Sequence, residues 1–429
     1  MSYMLGMLLG AIILGDLSDR IGRRNTVAVA SSIVGVCGIV SATAPNYPVF
    51  LMGRFFTGAG AMGMYQITYV LLVEFVGAKY RTTLGMLIPV PFSVGEAATG
   101  VLAYFIRDWR YLQAAVTVPA LLLISYKWVM PESVRWLVTQ NRTDEAIASL
   151  RLMAKTNGKE LTEDSVAFIR EKPACPATEL FTTGSSQADL VGHEATEAPQ
   201  EKPKPRKKTV LDLFKTPNLR KRALTMFFCW AVVTFVYYGL SQNSGNIGGN
   251  IFISFILTMV IEIPSYIFTV FVLDKMGRKG TLMFVFLLGG VSCIIAGTLP
   301  KDYHSAIMSL SLVGKFGASA AFSCVYIYAS ELFPTEYRGM GVGCCSMFAR
   351  VGGTLAPLIV TLFEKQPAVA PVTFGVLACC SGLLAITLPE TTGTRLPQTI
   401  AESENFGSDQ RTLDCCLCLT QHRSATSDK

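Results

Sequence analysis

The sequence predicts an all-α polytopic membrane protein whose two halves resemble each other. Its 429 residues are 51% hydrophobic and 16% charged, whereas soluble domains carry about 25% charged residues. The mean hydropathy is +0.43. Apolar stretches of roughly 20 residues, the length that crosses a bilayer as a helix, recur along the chain, and several motifs occur twice. These observations exclude a water-soluble globule.

The apolar stretches predict about eleven membrane-crossing helices. The first stretch is short, and the basic residues Arg20, Arg23 and Arg24 follow it, whereas a signal peptide carries its basic residues in front. We therefore interpret it as the end of a crossing helix. In chain order the predicted helices lie at residues 1–15, 26–44, 49–73, 83–106, 109–130, 222–240, 249–273, 281–299, 305–330, 340–363 and 368–388.

The distribution of Lys and Arg predicts the orientation in the membrane. Basic residues occur in the segments 16–25, 74–81, 131–221, 274–279 and 331–338, and the alternate loops are poor in them except near Arg107 and Arg110. Basic loops stay on the cytoplasmic side. We therefore expect an exterior N terminus, a cytoplasmic C terminus and the lipid bilayer as a partner.

An internal repeat indicates a tandem duplication. Four features recur at an offset of about 257 residues, which is the signature of a repeated structural unit. The repeated pairs are the segments 19–24 and 274–279, the loops bounded by Glu74 and Arg81 and by Glu331 and Arg338, the intrahelical Arg54 and Lys315, and the motifs that begin at Pro131 and Pro389.

Two parallel six-helix halves are typical of the major facilitator fold, in which substrate binds near the midplane between the halves. The repeat offset places the counterpart of the helix near residue 222 before residue 1. We therefore expect two six-helix bundles with the first helix of the N-terminal bundle missing; a genuine eleven-helix protein is the alternative. The expected domains are an N-terminal bundle at 1–130, a partly disordered cytoplasmic loop at 131–221, a C-terminal bundle at 222–388 and a cytoplasmic tail at 389–429.

Charged residues in the repeated loops are candidates for a conformational latch. The motif Asp-x-x-Gly-Arg permits a tight turn, and its charges can pair with a helix end or with the facing bundle and separate when the bundles rock. The alternative is that the arginines only set topology. The candidates are Asp19, Arg20, Gly22, Arg23, Arg24, Glu74 and Arg81 in the first half and Asp274, Gly277, Arg278, Glu331 and Arg338 in the second.

Five ionisable residues lie inside predicted membrane helices: Arg54, Glu96, Glu262, Lys315 and Arg350. Such residues are costly unless they are paired or hydrated, and they commonly mark functional sites. Arg54 and Lys315 are repeat mates, which favours a structural role, and the two glutamates either bond neighbouring helices or face a cavity. Arg350 has no charged repeat mate, so it is the best candidate to bind a carboxylate or sulfonate. The alternative is a structural pair with a Glu of a neighbouring helix.

Aromatic side chains are candidates for the rest of a binding surface. Their faces attract organic cations or enclose the apolar body of a solute, although aromatic residues near helix ends also serve as interface anchors. The candidates are Tyr69, Trp230, Tyr237, Tyr238 and Tyr326.

No pattern in the sequence predicts an enzyme. His193, His304 and His422 form no metal-binding or nucleophilic arrangement, and no phosphate-binding Gly-x-x-x-x-Gly-Lys loop occurs. We expect no cofactor, no metal and no nucleic-acid partner, and we interpret the cluster Cys415, Cys416 and Cys418 as free thiols, with acylation as the alternative. Transport would then be downhill or coupled to an ion, sodium or proton.

Seven segments resemble the organic cation/carnitine branch of solute carrier family 22, in the major facilitator superfamily. They are LSDRIGRR (17–24), AYFIRDWR (103–110), PESVRWL (131–137), YYGLS (237–241), GKFG (314–317), ELFPTEYR (331–338) and ARVG (349–352). The resemblance implies a plasma-membrane transporter of organic cations, carnitine-like zwitterions or organic anions. It also implies that Arg350 occupies the charge-selecting position and that Trp230, Tyr237, Tyr238 and Glu262 line the cavity.

The resemblance leaves two further functions open. The family's first helix and its large exterior loop have no counterpart here, so a truncated, non-transporting regulator is one alternative. A sugar-porter-like facilitator, which would share only the Pro-Glu-Ser and Gly-Arg-Arg loops, is the other.

Overall fold

The structure is a computed structural model that describes residues 2–76, 84–85, 87–159, 161, 163–171, 209–246, 250–300, 302–335, 337–363, 365–366, 368–394, 397–408 and 410. No strand occurs in this part of the chain. The predicted all-α class is therefore confirmed.

The helices follow the predicted order. In the first half they are α1 (Ser2–Ile21), α2 (Arg23–Ala42), α3 (Tyr47–Phe75), α4 (Pro89–Phe105), α5 (Trp109–Leu122) and α6 (Tyr126–Val129). The connecting segment contains α7 (Val134–Thr139), α8 (Thr143–Thr156) and α9 (Glu163–Glu171). The second half comprises α10 (Pro217–Asn243), α11 (Ile251–Val260), α12 (Glu262–Thr298), α13 (His304–Leu332), α14 (Arg338–Leu362), α15 (Val369–Ala385) and the short α16 (Ile400–Asn405).

Seven helical stretches of the described residues are long and apolar enough to cross a membrane. This agrees with a polytopic membrane protein. One stretch, Ile251–Thr298, has 48 residues and changes direction at Gly277 (φ 80°), so it covers two of the predicted crossings. The count of about eleven crossings stays a prediction. Within the expected loop at 131–221, α7, α8 and α9 are helical, and residues 172–208 lie outside the described residues.

Each half packs around its own helices. In the first half α3 lies against α1 and α2, and α2 also contacts α5; in the second half α12 lies against α13 and α15, and α10 against α14. The second half is better enclosed. Within its apolar window α10 is 78% buried, whereas the stretch Trp109–Val129 is 11% buried.

The two halves meet through α4, which packs against α11 and α12, and through α1, which contacts α14. Gly100 of α4 lies against Phe255 and Ile256 of α11, because a small residue allows two helices to approach closely in a membrane. This interface positions the buried polar residues described below.

The close packing of α1 on α3 generates a prediction about stability. A Cβ added at Gly10 would lie 2.2 Å from the carbonyl oxygen of Ala59, a backbone atom that cannot move aside freely. We expect Gly10→Ala to destabilise the purified protein by about 1–3 kcal/mol, measured as the midpoint of thermal unfolding in detergent. The control is Gly343→Ala in α14, where an added Cβ meets no atom within 4 Å. Equal midpoints for the two variants would contradict the helix contact.

Candidate functional site

A polar cluster lies at the interface between the halves. Lys315 Nζ of α13 is 2.7 Å from Glu262 Oε1 of α12, and both side chains are 0% exposed. The other carboxylate oxygen of Glu262 accepts hydrogen bonds from Ser93 of α4 at 2.5 Å, from the Tyr237 hydroxyl of α10 at 3.0 Å and from the Tyr266 hydroxyl at 3.1 Å. The cluster therefore joins the first half to three helices of the second.

Lys315 also connects α13 to α10. Its ammonium group donates to the Ser241 hydroxyl at 2.7 Å and to the Tyr237 carbonyl at 3.3 Å, and it lies 3.3 Å from the centre of the Tyr237 ring. Its repeat mate Arg54 donates to Gln113 at 3.1 Å, so it connects α3 to α5. Both basic residues tie neighbouring helices of one half together, as the repeat predicts.

The predicted aromatic residues lie around this interface. Trp230 is completely buried and its ring centre is 4.2 Å from that of Tyr326. Tyr237 contacts Tyr238 edge to face at 5.3 Å. Tyr69 of α3, 39% exposed, lies near Tyr326. The structure thus brings together aromatic side chains from both halves.

Arg350 lies at the same interface and is 7% exposed. Its Nη2 atom is 3.1 Å from the Met62 sulfur of α3, a weak acceptor, and its buried Nε atom has no hydrogen-bond partner. The phenol groups of Tyr238 and Tyr326 are near enough to interact with its charge. Among the residues that the structure describes, no carboxylate forms an ion pair with Arg350. The expected alternative, a structural pair with a neighbouring Glu, is therefore not formed there.

Two glycine turns begin the repeated charge networks. Gly22 and Gly277 adopt φ values of 96° and 80°, a region that favours glycine. The carboxylate of Glu132 accepts from the backbone nitrogens of Arg23 and Arg24 at 3.0 and 3.1 Å. It thus caps the start of α2, and an anion is favourable at a helix N-terminus. A Cβ at Gly22 would lie 2.4 Å from the Glu132 carboxylate, so an added side chain would displace this cap.

The second half repeats this arrangement. Glu390 accepts from the backbone nitrogens of Arg278 and Lys279 at 2.9 and 3.1 Å, directly after Gly277. In the sequence, the motifs around Glu132 and Glu390 stand out only because they repeat. Their recurrence was a signal of a shared role, but capping depends on the fold, which brings each motif to a glycine turn more than 100 residues away.

The arginine after each glycine turn binds two acidic residues. Arg23 pairs with Asp19 at 2.9 Å and with Glu74 at 3.6 Å. Its repeat mate Arg278 pairs at 3.1 Å with both Asp274 and Glu331. Within the described residues, each of these ion pairs joins residues of the same half. In each half the pairs hold three helix ends together.

The other predicted latch residues make peripheral contacts. Arg20 pairs with Asp16 at 2.9 Å, but both side chains are largely exposed. The Arg24 side chain donates to the carbonyl of Met130 at 3.5 Å, and Arg338 donates to Thr335 at 3.2 Å. Arg81 lies outside the described residues.

Comparison with known proteins defines the class. A family model described as sugar (and other) transporter matches residues 1–400. The chain superposes on the xylose transporter XylE from Escherichia coli, in a partially occluded inward open conformation, with a TM-score of 0.65 over 92% of this chain and 87% of that chain. At 18% sequence identity, this similarity indicates a shared fold only. The protein is thus a polytopic membrane transporter with the major facilitator fold.

More similar relatives identify the family. The chain is 36% identical over 409 residues to the organic cation transporter protein of Drosophila melanogaster. The aligned region covers 94% of this chain and 70% of that protein. It is 35% identical to solute carrier family 22 member 6-A of Xenopus laevis and 34% identical to solute carrier family 22 member 13 of Homo sapiens, covering 94% of this chain and 68% of each relative. The chain belongs to the sugar (and other) transporter family and, within it, to solute carrier family 22.

The buried ion pair generates a second prediction about stability. Lys315→Met leaves the Glu262 carboxylate buried without its cation, and breaking one partner of a buried pair costs about 3–5 kcal/mol. We expect the double variant Lys315→Met with Glu262→Gln to recover most of that loss, because neither charge then remains. Thermal unfolding of the purified variants measures both. Lys155→Met, at an exposed position of α8, is the control, and additive losses in the double variant would contradict the pairing.

Proposed function

We propose that the chain carries small organic ions across the plasma membrane by exposing a site between its halves alternately to each side. The proposed orientation has an exterior N terminus and a cytoplasmic C terminus. The two bundles, residues 1–130 and residues 222–388, would each move as one unit. The observation that carries the proposal is Arg350, a buried guanidinium at the interface that forms no ion pair among the described residues.

The proposed ligand of Arg350 is the carboxylate of an organic anion or zwitterion. A buried, unpaired charge costs several kcal/mol, and a substrate anion supplies the missing partner. The guanidinium group binds carboxylates through two parallel hydrogen bonds. Substrate recognition would therefore neutralise a charge that the fold leaves uncompensated.

The aromatic residues would hold the organic part of the substrate. Tyr69 comes from the first half, and Tyr238 and Tyr326, which are partly exposed, come from the second, so a solute between them would contact both halves. Trp230 and Tyr237 are enclosed and would support these side chains from behind. Glu262 would contribute electrostatically through the hydroxyl of Tyr237 rather than by direct contact, since its side chain is enclosed. Small organic ions agree with the names of the relatives, organic cation transporter and solute carrier.

The arginine networks would act as latches on the predicted cytoplasmic side. Each network ties three helix ends of one half, and opening toward the cytoplasm would require those ends to rearrange. Energy for net transport would come from the solute gradient or from a coupled ion, sodium or proton.

The role of Arg350 is tested by uptake into cells. We expect Arg350→Asp to lose uptake of radiolabelled organic carboxylates almost completely, because the pocket then repels an anion. Arg350→Lys keeps the positive charge but lacks the planar guanidinium group that binds a carboxylate through two hydrogen bonds. It should therefore lower the apparent affinity for the carboxylate roughly 10-fold. Arg151→Asp, at an exposed position of α8, is the matched control, with surface expression measured for every variant.

Two results would contradict the proposed function. One is absence of uptake of organic anions, cations and zwitterions by a chain that reaches the cell surface. The other is carboxylate uptake that is equal in Arg350→Asp and in the control.

The latch proposal is tested by charge reversal. Arg278→Glu and Glu331→Arg each place two like charges together, and we expect each to lower the uptake rate roughly 10-fold, equivalent to about 1.4 kcal/mol. The combined variant restores opposite charges and should recover part of the rate. Arg142→Glu, which disturbs an exposed pair with Glu145, is the control. Failure of the combined variant to exceed both single variants would argue against a latch formed by this pair.

A further inference from the structure

Glu96 is a second acidic residue beside the buried ion pair. It lies on α4, is half-buried, and one of its carboxylate oxygens is 3.4 Å from the Tyr237 hydroxyl. The same hydroxyl is 3.0 Å from Glu262. One tyrosine thus stands between a carboxylate of the first half and a carboxylate of the second.

The carboxylates of Glu262 and Glu96 differ in the number of hydrogen-bond donors around them. Glu262 has the Lys315 ammonium on one oxygen and three hydroxyl donors around the other, so its ionised form is well solvated by the protein. Glu96 has only the Tyr237 hydroxyl among the described residues, and that hydroxyl carries a single proton, which it already donates to Glu262. An ionised Glu96 would face the tyrosine oxygen without a proton between them.

A proton on Glu96 completes this arrangement. The Glu96 hydroxyl then donates to the Tyr237 oxygen, whose own proton is donated to Glu262, so all three groups are bonded in one chain. The ion pairs point the same way. Lys315 is paired with Glu262 at 2.7 Å, and Arg350 contacts Met62 rather than a carboxylate, so among the described residues an ionised Glu96 has no cation at ion-pair distance, which is costly inside a membrane.

No cation of the described residues forms an ion pair with Glu96. No titratable residue occurs on α11, and those of α5, Arg110 and Tyr111, lie in its first turn. Arg54 of α3 lies over the Tyr3 ring at 5.6 Å and donates to Gln113 of α5. The titratable side chains that interact with Glu96 are Tyr3 of α1, Tyr237 and Tyr238 of α10, Glu262 and Tyr266 of α12, and Lys315 of α13.

We infer that Glu96 is the proton-binding residue of a proton-coupled transport cycle. Glu96 belongs to the first half, whereas Tyr237, Glu262 and Lys315 belong to the second, so alternating movement of the halves makes and breaks this contact. Glu96 takes a proton from external water and holds it while the contact with Tyr237 is closed. When the contact opens toward the cytoplasm, Glu96 leaves Tyr237, becomes hydrated and releases the proton to cytoplasmic water. The inference rests on the proposed function, for which it names the coupling ion.

The first test measures proton binding without transport. The probe is the proton itself, in a pH titration of the purified chain in lipid nanodiscs, followed by the infrared band of a protonated carboxylic acid. We expect a band from a buried carboxylic acid that is lost in Glu96→Gln and retained in Glu145→Gln, whose side chain is exposed on α8. A spectrum unchanged by Glu96→Gln would overturn the inference, whether or not the chain transports.

The second test measures coupling. Uptake of an organic carboxylate should rise severalfold when the external medium is acidified, and this ratio should fall to unity in Glu96→Gln, which mimics the protonated side chain and should still transport down a solute gradient. The pH ratio should persist in Glu145→Gln. A Glu96→Gln variant that keeps the full pH ratio, or one that selectively loses cationic substrates, would overturn proton binding in favour of another role. Absence of uptake in the parent chain would instead count against the proposed function, and the infrared result would then decide the inference alone.

Discussion

A charge inside the hydrocarbon region must find its counter-charge within the protein, and this constraint organises the interface between the two halves. Lys315 and Glu262 satisfy it completely, because each is buried and paired with the other. The surrounding hydroxyl groups of Ser93, Tyr237 and Tyr266 converge on the same carboxylate. Four helices are therefore positioned relative to one another by one buried ion pair. Arg350 does not satisfy the constraint among the described residues, and that exception identifies the candidate binding site.

Duplication produced the scaffold, and departures from the duplication produced the candidate site. The glycine turns, the capping carboxylates Glu132 and Glu390, and the arginines that follow each turn occur in both halves with closely similar contacts. By contrast, an offset of about 257 residues places Arg350 opposite a position near Ser93 and Glu96 opposite a position near Gly353. Charges that both halves share hold each half together, whereas the unmatched charges lie where the halves meet.

The sequence was sufficient for the class, the repeat and the family, because these depend on composition and on motifs that are local in the chain. Apolar length predicts membrane helices regardless of how they pack, and the tight turns at Gly22 and Gly277 follow from their own short motif. The prediction that Arg54 and Lys315 tie neighbouring helices also agreed with their contacts, since repeat mates occupy equivalent positions.

The pairing of charges could not be predicted from the sequence. Whether Lys315 meets Glu262 or another acid depends on the rotation of two helices about their axes, which apolar composition does not determine. The capping role of Glu132 required a loop more than a hundred residues away to return to α2. The surroundings of Arg350 likewise depend on Met62, Tyr238 and Tyr326, which three different helices bring together.

The central claim is that Arg350 binds an anionic group of the substrate. A direct measurement of carboxylate binding tests this claim most closely. Isothermal titration of the purified chain in lipid nanodiscs would compare an organic carboxylate with its uncharged alcohol analogue, in the parent and in Arg350→Gln. The account predicts that the parent binds the carboxylate roughly 10- to 100-fold more tightly than the variant does, because charge-assisted hydrogen bonds at a buried site contribute about that much affinity. The alcohol should bind the parent and the variant with equal affinity. Equal carboxylate affinity in the two proteins would contradict it.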